Sequence, residues 1–312
     1  MNWKKISLYI LFSFAFSWTA ALIMRMAHIT LGSLGGIIFL AVLYMPGPAL
    51  ATLIVQRFIY KEGFKQYGWT FDKKAIRWIF ITPLIFLLIT IMTFVIVGLL
   101  GNTHLVPAFG QIDFSQENVI SRLKDLAGSK INIDKVQIPE IPPILLFLAM
   151  LLQGIIGGST ISLPFMFGEE LGWRGLMLTE TRSLGFFKAN LIIGFIWGIW
   201  HLPIILMGHN YPHHPYLGIV MMCLFTISVA PIFAYVRMKT KSIVGSCMLH
   251  GMVNASGALY VLFIANWNEL YSWIAGWAGI ISALVVTISI SLLDKKFVKE
   301  YRSGLLANAV TS

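Results

Sequence analysis

The sequence predicts an all-α fold, a polytopic membrane bundle of about eight transmembrane helices with both termini in the cytoplasm. Two observations indicate this fold class. First, 57% of the 312 residues are hydrophobic and 12% are charged, with a mean hydropathy of +0.79. Such a composition lies far outside the range of soluble globular domains. Second, several windows long enough to cross a hydrocarbon core of roughly 30 Å carry little or no charge, such as IFITPLIFLLITIMTFVIVGLL at 79–100.

Apolar segments of spanning length recur along the whole chain. The predicted spans are 6–24, 34–56, 78–100, 142–167, 189–207, 216–236, 243–264 and 272–292. The first has the basic-then-apolar order of a signal peptide, but its apolar part is too long, so we predict a retained helix. We divide the chain into N-terminal helices with an interfacial segment and an outer loop (1–141), a core that holds the polar motifs (142–258), and a last helix with a basic cytoplasmic tail (259–312).

The basic residues are distributed unevenly between the connections. With the N-terminus inside, 18 of the 23 Lys and Arg residues fall in inner segments and 5 in outer ones. This asymmetry follows the positive-inside rule and places both termini in the cytoplasm. The net charge of +10 therefore has a topological explanation, and no zinc ribbon, Walker loop or RNA-binding pattern accompanies it. We expect the lipid bilayer, and no nucleic acid, as a partner.

Two connections and two cysteines carry structural predictions. Segment 57–77 mixes aromatic and basic residues, which favours a position along the inner membrane interface. Segment 101–141 is the longest loop, predicted outside, with a short helix around Ser115 to Leu126. Cys223 and Cys247 fall inside apolar runs and are predicted to be small packing residues.

Ionisable and amide side chains interrupt the apolar spans at three places in the second half of the chain. They are Glu169, Glu170 and Arg174 in GEELGWRG, His201 in FIWGIWHLP, and His250 with Asn254 in SCMLHGMVNASGALYV. An ionisable residue in a spanning helix costs a few kcal/mol, so each is a candidate functional residue. We expect them to meet in one polar pocket in the inner half of the bilayer.

Helical spacing indicates how the residues of the first motif combine. Glu170 and Arg174 are four apart on one helix face, so we predict a bidentate pair of carboxylate and guanidinium. Glu169 is rotated by about 100° from Glu170, which leaves it without that partner and free for chemistry.

The same spacing recurs in the two histidine motifs. His250 and Asn254 share a helix face, and Trp197 precedes His201 by four residues, which places an aromatic wall beside the imidazole.

Each feature taken alone also has a structural explanation. A single intramembrane histidine often makes a hydrogen bond between helices, the ion pair is often structural, and Glu169 at a span end could be solvated. The combination is what favours a functional site. A denser cluster, His209, His213 and His214 in GHNYPHHP, falls on a predicted outer loop. There we favour solvent exposure or adventitious metal binding over function.

The motifs EELGWR, WGIWH and HGMVN occur in the order EExxxR, [FW]xxxH and HxxxN. This set resembles the CPBP family of intramembrane CAAX-processing endopeptidases and bacteriocin-processing proteins, over about a third of the chain. The resemblance implies that Glu169 activates water together with His201, and that His250 and Asn254 polarise the scissile carbonyl and stabilise its oxyanion. It also implies that Glu170 and Arg174 hold the motif helix in place.

The resemblance leaves the cofactor open between none and zinc. The family is classified among metalloproteases, and zinc would have Glu169, His201, His250 and Asn254 as ligands. The HExxH helix of many zinc proteases is absent from the sequence. We therefore prefer a metal-free glutamate mechanism acting on a membrane-bound peptide substrate.

Two other classes of function compete with the peptidase. The fold could serve as a non-catalytic bacteriocin-immunity-type protein, but no motif residue has been lost. Buried Glu and His also form proton relays in transporters, yet the chain shows no inverted repeat and no paired broken helices. We expect a bacterial cell membrane as the location.

Overall fold

A computed structural model describes residues 1–68, 73–127 and 141–301. The chain forms a helical bundle with one short antiparallel strand pair. The helices are α1 (Trp3–Met26), α2 (Leu34–Ile59), α3 (Lys73–Val97, prolonged by a π-helical turn Gly98–Asn102), α4 (Gln116–Ala127), α5 (Pro143–Ser159), α6 (Leu163–Leu184), α7 (Phe186–Trp200), α8 (Leu202–Leu206), α9 (Pro215–Thr240), α10 (Ile243–Ala255), α11 (Gly257–Phe263) and α12 (Trp277–Leu293). The strands are β1 (Gln111–Ile112) and β2 (Ile264–Ala265).

All eight predicted spans are helical, which confirms the all-α membrane fold, but they differ in length. Five helical segments within the described ranges are long and apolar enough to cross a bilayer, and the bent pair of α5 and α6 would make a sixth. The fifth and eighth predicted spans contain the shorter apolar helices α7 and α12. Hydropathy alone does not show where a helix ends. Pro203, at the start of α8, follows the turn at His201 that ends α7.

The fourth predicted span is broken in two. Helix α5 ends at Ser159, and α6 begins at Leu163 with its axis turned by 59°. Pro164 lies in the first turn of α6, where its missing N–H costs nothing. The sequence predicted that the motif glutamates end a span on the inner side, and this prediction is wrong. They lie inside α6, which runs on to Leu184.

Helix α6 contains a π-helical stretch directly after the glutamates. It covers Leu171–Met177, and all seven of its residues are buried. Such wide turns are frequent at functional sites, where they shift the backbone and place particular side chains. Arg174 lies in this stretch, one turn beyond Glu170.

Glycines allow the motif helices to pack against their neighbours at backbone distance. A Cβ added at Gly251 of α10 would lie 2.1 Å from the carbonyl oxygen of Gly158 in α5. Cβ atoms at Gly194 and Gly198 of α7 would each lie 2.6 Å from a Cα atom of α9. Small residues thus permit the close helix packing that membrane bundles use instead of a hydrophobic driving force.

A matched pair of glycine variants tests this packing. Gly158→Ala is expected to destabilise the protein by about 1–3 kcal/mol, because its Cβ overlaps backbone that has no room to move. A Cβ there would lie 2.4 Å from the amide nitrogen of Met252. Gly157→Ala is the control, since its Cβ meets only the Gln153 side chain at 3.6 Å. Thermal unfolding in detergent should separate the two variants, and equal melting temperatures would contradict the close approach.

The loop predicted to lie outside is bound to the end of α11. Helix α4 confirms the predicted short helix, and Gln111 and Ile112 pair with Ala265 and Ile264 in a strand ladder that the sequence did not predict. Asn118 of α4 donates to the carbonyl oxygen of Leu262 at 3.0 Å. The rest of this loop, 128–140, and the predicted basic tail beyond 301 lie outside the described residues.

The inner connection is shorter than predicted. Residues 57–59 continue α2 and 73–77 belong to α3, so eight of the 21 residues of segment 57–77 lie in these helices; 69–72 are outside the described ranges. Cys223 and Cys247 are buried free thiols, as suits packing residues.

A buried lysine joins three segments of the predicted inner side. Lys5 of α1 is 2% exposed and contacts Glu62 at 2.7 Å and Glu180 of α6 at 3.0 Å. Partial burial raises the pKa of the Glu62 carboxyl, but the hydrogen bonds and charge of Lys5 and the amide of Gln56 outweigh it, so the pKa is lowered overall. The contacts hold α6, and with it the motif glutamates, against α1.

Candidate active site

The four predicted catalytic residues line one cavity. Glu169 comes from α6, His201 from the turn that ends α7, and His250 and Asn254 from α10. The cavity has a volume of about 210 Å³. Most of the remaining wall is apolar, with Leu40, Met222 and Phe225 among its residues.

Glu169 is held inside this cavity by a tryptophan. Its side chain is 3% exposed, and one carboxylate oxygen accepts a hydrogen bond from Nε1 of Trp197 at 2.9 Å. The burial rules out the alternative of a carboxylate solvated at the membrane surface. Among the described residues the second oxygen has no hydrogen-bond partner, so it is available to a water molecule.

His201 is oriented through the backbone of the helix that it ends. Its Nδ1 lies 2.8 Å from the carbonyl oxygen of Trp197. A carbonyl oxygen only accepts, so Nδ1 carries the proton and Nε2 keeps a free lone pair. The rings of Trp197 and Trp200 flank the imidazole at 6.0 and 4.8 Å between centroids. The predicted aromatic wall is therefore present on two sides.

The end of α7 is anchored by the first two spans. The carbonyl oxygen of Trp200 accepts from Nε1 of Trp18 at 3.1 Å and from the hydroxyl of Tyr44. Sequence reasoning missed both anchors. The only available signal was that Trp and Tyr in an apolar span need a partner for their polar atoms when buried. These bonds fix the position of His201, the next residue.

Glu170 and Arg174 form the predicted ion pair, but through a single hydrogen bond. Nη1 of Arg174 lies 3.0 Å from Oε1 of Glu170, and both side chains are at most 1% exposed. Across the described ranges, Nε and Nη2 of Arg174 and Oε2 of Glu170 have no hydrogen-bond partner, so the bidentate prediction is wrong. The guanidinium instead packs against the rings of Trp197 and Phe233, 4.3 and 4.5 Å from their centroids. This packing accounts for its orientation.

Glu170 also contacts one of the histidines predicted to be catalytic. Nδ1 of His250 lies 3.0 Å from the same Oε1 atom that binds Arg174. Trp197 and Phe233 pack against the His250 ring at 5.3 and 5.7 Å. Sequence spacing could not indicate this contact, because the two residues lie on different helices, 80 positions apart.

Asn254 lies one turn beyond His250 on α10 and is exposed to the cavity. Its Nδ2 atom donates a weak hydrogen bond to the sulfur of Met166 at 3.4 Å. The amide is therefore near the histidine on one helix face, as predicted, and remains accessible to a substrate.

The three histidines of the outer loop have different surroundings. His213 and His214 are exposed, as predicted, and His214 binds Glu269 at 2.9 Å. His209 is different, because it lines the same cavity as Glu169 and His201. The cavity thus reaches further toward the predicted outer side than the sequence indicated. Within the described ranges no three His, Cys, Asp or Glu side chains lie close enough to share a metal ion.

The fold and the site together define an integral membrane protein with a buried site of one glutamate, two histidines and an asparagine. Residues 139–256 match the family model of Type II CAAX prenyl endopeptidase Rce1-like proteins. CAAX prenyl protease 2 of Methanococcus maripaludis is 26% identical over 171 residues, covering 45% of this chain and 63% of the relative. The chain thus spans less than two thirds of that relative. Both matches confirm the family resemblance carried by the three motifs.

Proposed function

We propose that the protein is an intramembrane endopeptidase that hydrolyses a peptide bond in membrane-associated substrates of the CAAX type. The observation that carries this proposal is Glu169, a buried carboxylate with one oxygen held by Trp197, in the same cavity as His201, His250 and Asn254. The family match supports the same class of reaction. We further propose the bacterial cell membrane as its location, with the basic connections in the cytoplasm.

The first step is the attack of water on the scissile carbonyl carbon. Glu169 takes one proton from the water while the new carbon–oxygen bond forms, and the carbonyl oxygen becomes an oxyanion. His201 accepts the second hydrogen of the same water as a hydrogen bond at its free Nε2, which orients the nucleophile. When the carbon–nitrogen bond breaks, Glu169 returns the proton to the leaving nitrogen.

His250 and Asn254 stabilise the negative charge that develops on the carbonyl oxygen. Nδ1 of His250 faces Oε1 of Glu170 at 3.0 Å, which leaves Nε2 as the ring atom available to the oxyanion. The amide nitrogen of Asn254 supplies a second donor one helical turn away. Donors fixed by the protein stabilise a developing charge without reorganising in the reaction. Arg174 positions His250 indirectly, because it binds the same oxygen of Glu170.

This route needs no metal. If zinc were present, Glu169, His201, His250 and Asn254 would be its ligands, since carboxylate and imidazole are common zinc ligands. No three of the described His, Cys, Asp and Glu side chains approach closely enough to share a metal ion, which supports a metal-free route. We therefore propose the glutamate-activated water without a cofactor.

Purified protein in liposomes tests the function directly. The substrates are a peptide ending in Cys-Val-Ile-Met with an S-farnesyl cysteine and the same peptide without the farnesyl group. We expect a shortened product from the farnesylated peptide by mass spectrometry, and none with the Glu169→Gln variant. No cleavage by the wild type would contradict the CAAX assignment and favour a non-catalytic, immunity-type role. Equal cleavage by both proteins would contradict the role of Glu169.

Asn254→Ala distinguishes an oxyanion donor from a zinc ligand. The loss of one donor is expected to lower the cleavage rate by about 100- to 1,000-fold, without any change in metal content. His250→Ala serves as the parallel variant, and His213→Ala, exposed on the outer loop, as the control. Rates and the zinc content of each purified protein are measured together. Stoichiometric zinc in active wild type, lost in both site variants, would overturn the metal-free route.

A further inference from the structure

Residues other than the four proposed catalytic ones form most of the cavity wall. Trp197 and His250 pack against Phe233 of α9, and the lining extends along α9 to Met222. The connection between α8 and α9 contributes His209 and Asn210 to the wall of the same cavity, and 273–275 also line it.

This connection has a fixed conformation. The hydroxyl of Tyr211 donates to the carbonyl oxygen of Ala275 at 2.6 Å, and its ring lies against Gly218 of α9, where a Cβ would come within 2.5 Å. The carboxylate of Glu269, 2% exposed, accepts from the backbone N–H of His213 and contacts Nδ1 of His214, both at 2.9 Å. The loop is thus bound at two points to the segment before α12.

His209 and Asn210 bring polar groups into a wall that is otherwise mainly apolar. Neither side chain has a hydrogen-bond partner in the part of the chain that the structure describes. Burial lowers the pKa of His209 to about 4, so at neutral pH its ring presents one donor and one acceptor. The Asn210 amide also presents both. An extended peptide backbone offers the complementary alternation of C=O and N–H groups, and its side chains would meet Met222 and Phe225.

We propose that His209 and Asn210 bind the backbone of the peptide substrate, on the side of the scissile bond that lies toward the α8–α9 connection. The inference rests on the proposed peptidase function and adds a substrate-binding subsite to it. Because the loop is held by Glu269 and Ala275, these groups are positioned before the substrate arrives, which reduces the entropy lost on binding.

Peptide binding to the Glu169→Gln variant measures the subsite without catalysis. The probe is a fluorescent S-farnesylated peptide ending in Cys-Val-Ile-Met, with its Kd determined by fluorescence anisotropy in nanodiscs. Adding His209→Ala or Asn210→Gly is expected to weaken binding by about 2- to 10-fold, the effect of one neutral hydrogen bond. Glycine is chosen because Asn210 has a φ of 62°, which glycine adopts without strain. His209→Gln, which keeps a donor and an acceptor, should retain part of the affinity.

His213→Ala is the matched control, since this histidine lies on the same loop with an exposed side chain. In the protein with Glu169 intact, His209→Ala should raise KM and leave kcat within about two-fold, because uniform binding is lost. An unchanged Kd and KM in folded His209→Ala and Asn210→Gly proteins would overturn the proposed subsite but not the proposed peptidase function. No binding of the peptide to the Glu169→Gln variant would contradict the proposed substrate class, and the subsite with it.

Discussion

Replacing Glu169 by glutamine is expected to lower the rate of peptide cleavage by about 100- to 10,000-fold, the usual contribution of a general base. Glutamine has nearly the same size, and its carbonyl oxygen can still accept the Trp197 hydrogen bond seen at 2.9 Å. It cannot take a proton from water. The effect should therefore appear in the single-turnover rate, while the helix content and the melting temperature stay close to those of the wild type.

Two further variants make this result specific. His201→Ala is expected to reduce cleavage similarly, since it removes the Nε2 atom that orients the water. Glu117→Gln, an exposed glutamate of α4, should leave the rate unchanged. Single-turnover assays and circular dichroism on the same preparations separate chemistry from folding. A wild-type cleavage rate in Glu169→Gln would contradict the assignment of Glu169 as the general base.

Arg174→Ala is expected to destabilise the protein by about 3–5 kcal/mol, as when a buried ion pair loses one partner. The substitution leaves the Glu170 carboxylate, 0% exposed, with His250 as its one remaining hydrogen-bond partner among the described residues. It also removes the guanidinium group that packs against the rings of Trp197 and Phe233. A lower folded yield and melting temperature should accompany the loss of activity, in contrast to Glu169→Gln.

A double variant separates the charge effect from the packing effect. Glu170→Gln added to Arg174→Ala removes both charges and should regain part of the melting temperature, without regaining activity. Arg57→Ala, exposed at the end of α2, is the control for loss of an arginine. If the melting temperature of Arg174→Ala in detergent matched that of the wild type, the buried pair would contribute nothing to stability.

Much of the fold could be predicted because hydropathy and helical periodicity act locally. The apolar runs predicted where helices lie, and the four-residue spacing predicted the contact of Glu170 with Arg174. Helix breaks were harder to predict, since the apolar run through Pro164 continues across the bend between α5 and α6. Hydropathy measures the cost of burial, whereas a break depends on backbone hydrogen bonds.

The contacts that complete the site could not be predicted, since they join distant segments. The bond between Nδ1 of His250 and Glu170 depends on how α6 and α10 pack, which a single sequence does not encode as a pattern. The anchoring of Trp200 by Tyr44 and the position of His209 in the cavity also depend on how distant segments pack together. Residue types indicated the chemistry, and tertiary packing determined which polar atoms are hydrogen-bonded within the protein and which remain available to a substrate.

In the proposed mechanism, water activated by Glu169 cleaves the substrate peptide bond. The most direct test is a single turnover of the farnesylated peptide by reconstituted protein in water labelled with heavy oxygen, followed by mass spectrometry of product and protein. One heavy oxygen atom is expected in the new carboxyl group of the product and none in Glu169. Heavy oxygen in the Glu169 carboxylate would show a covalent acyl intermediate and would contradict direct attack by water.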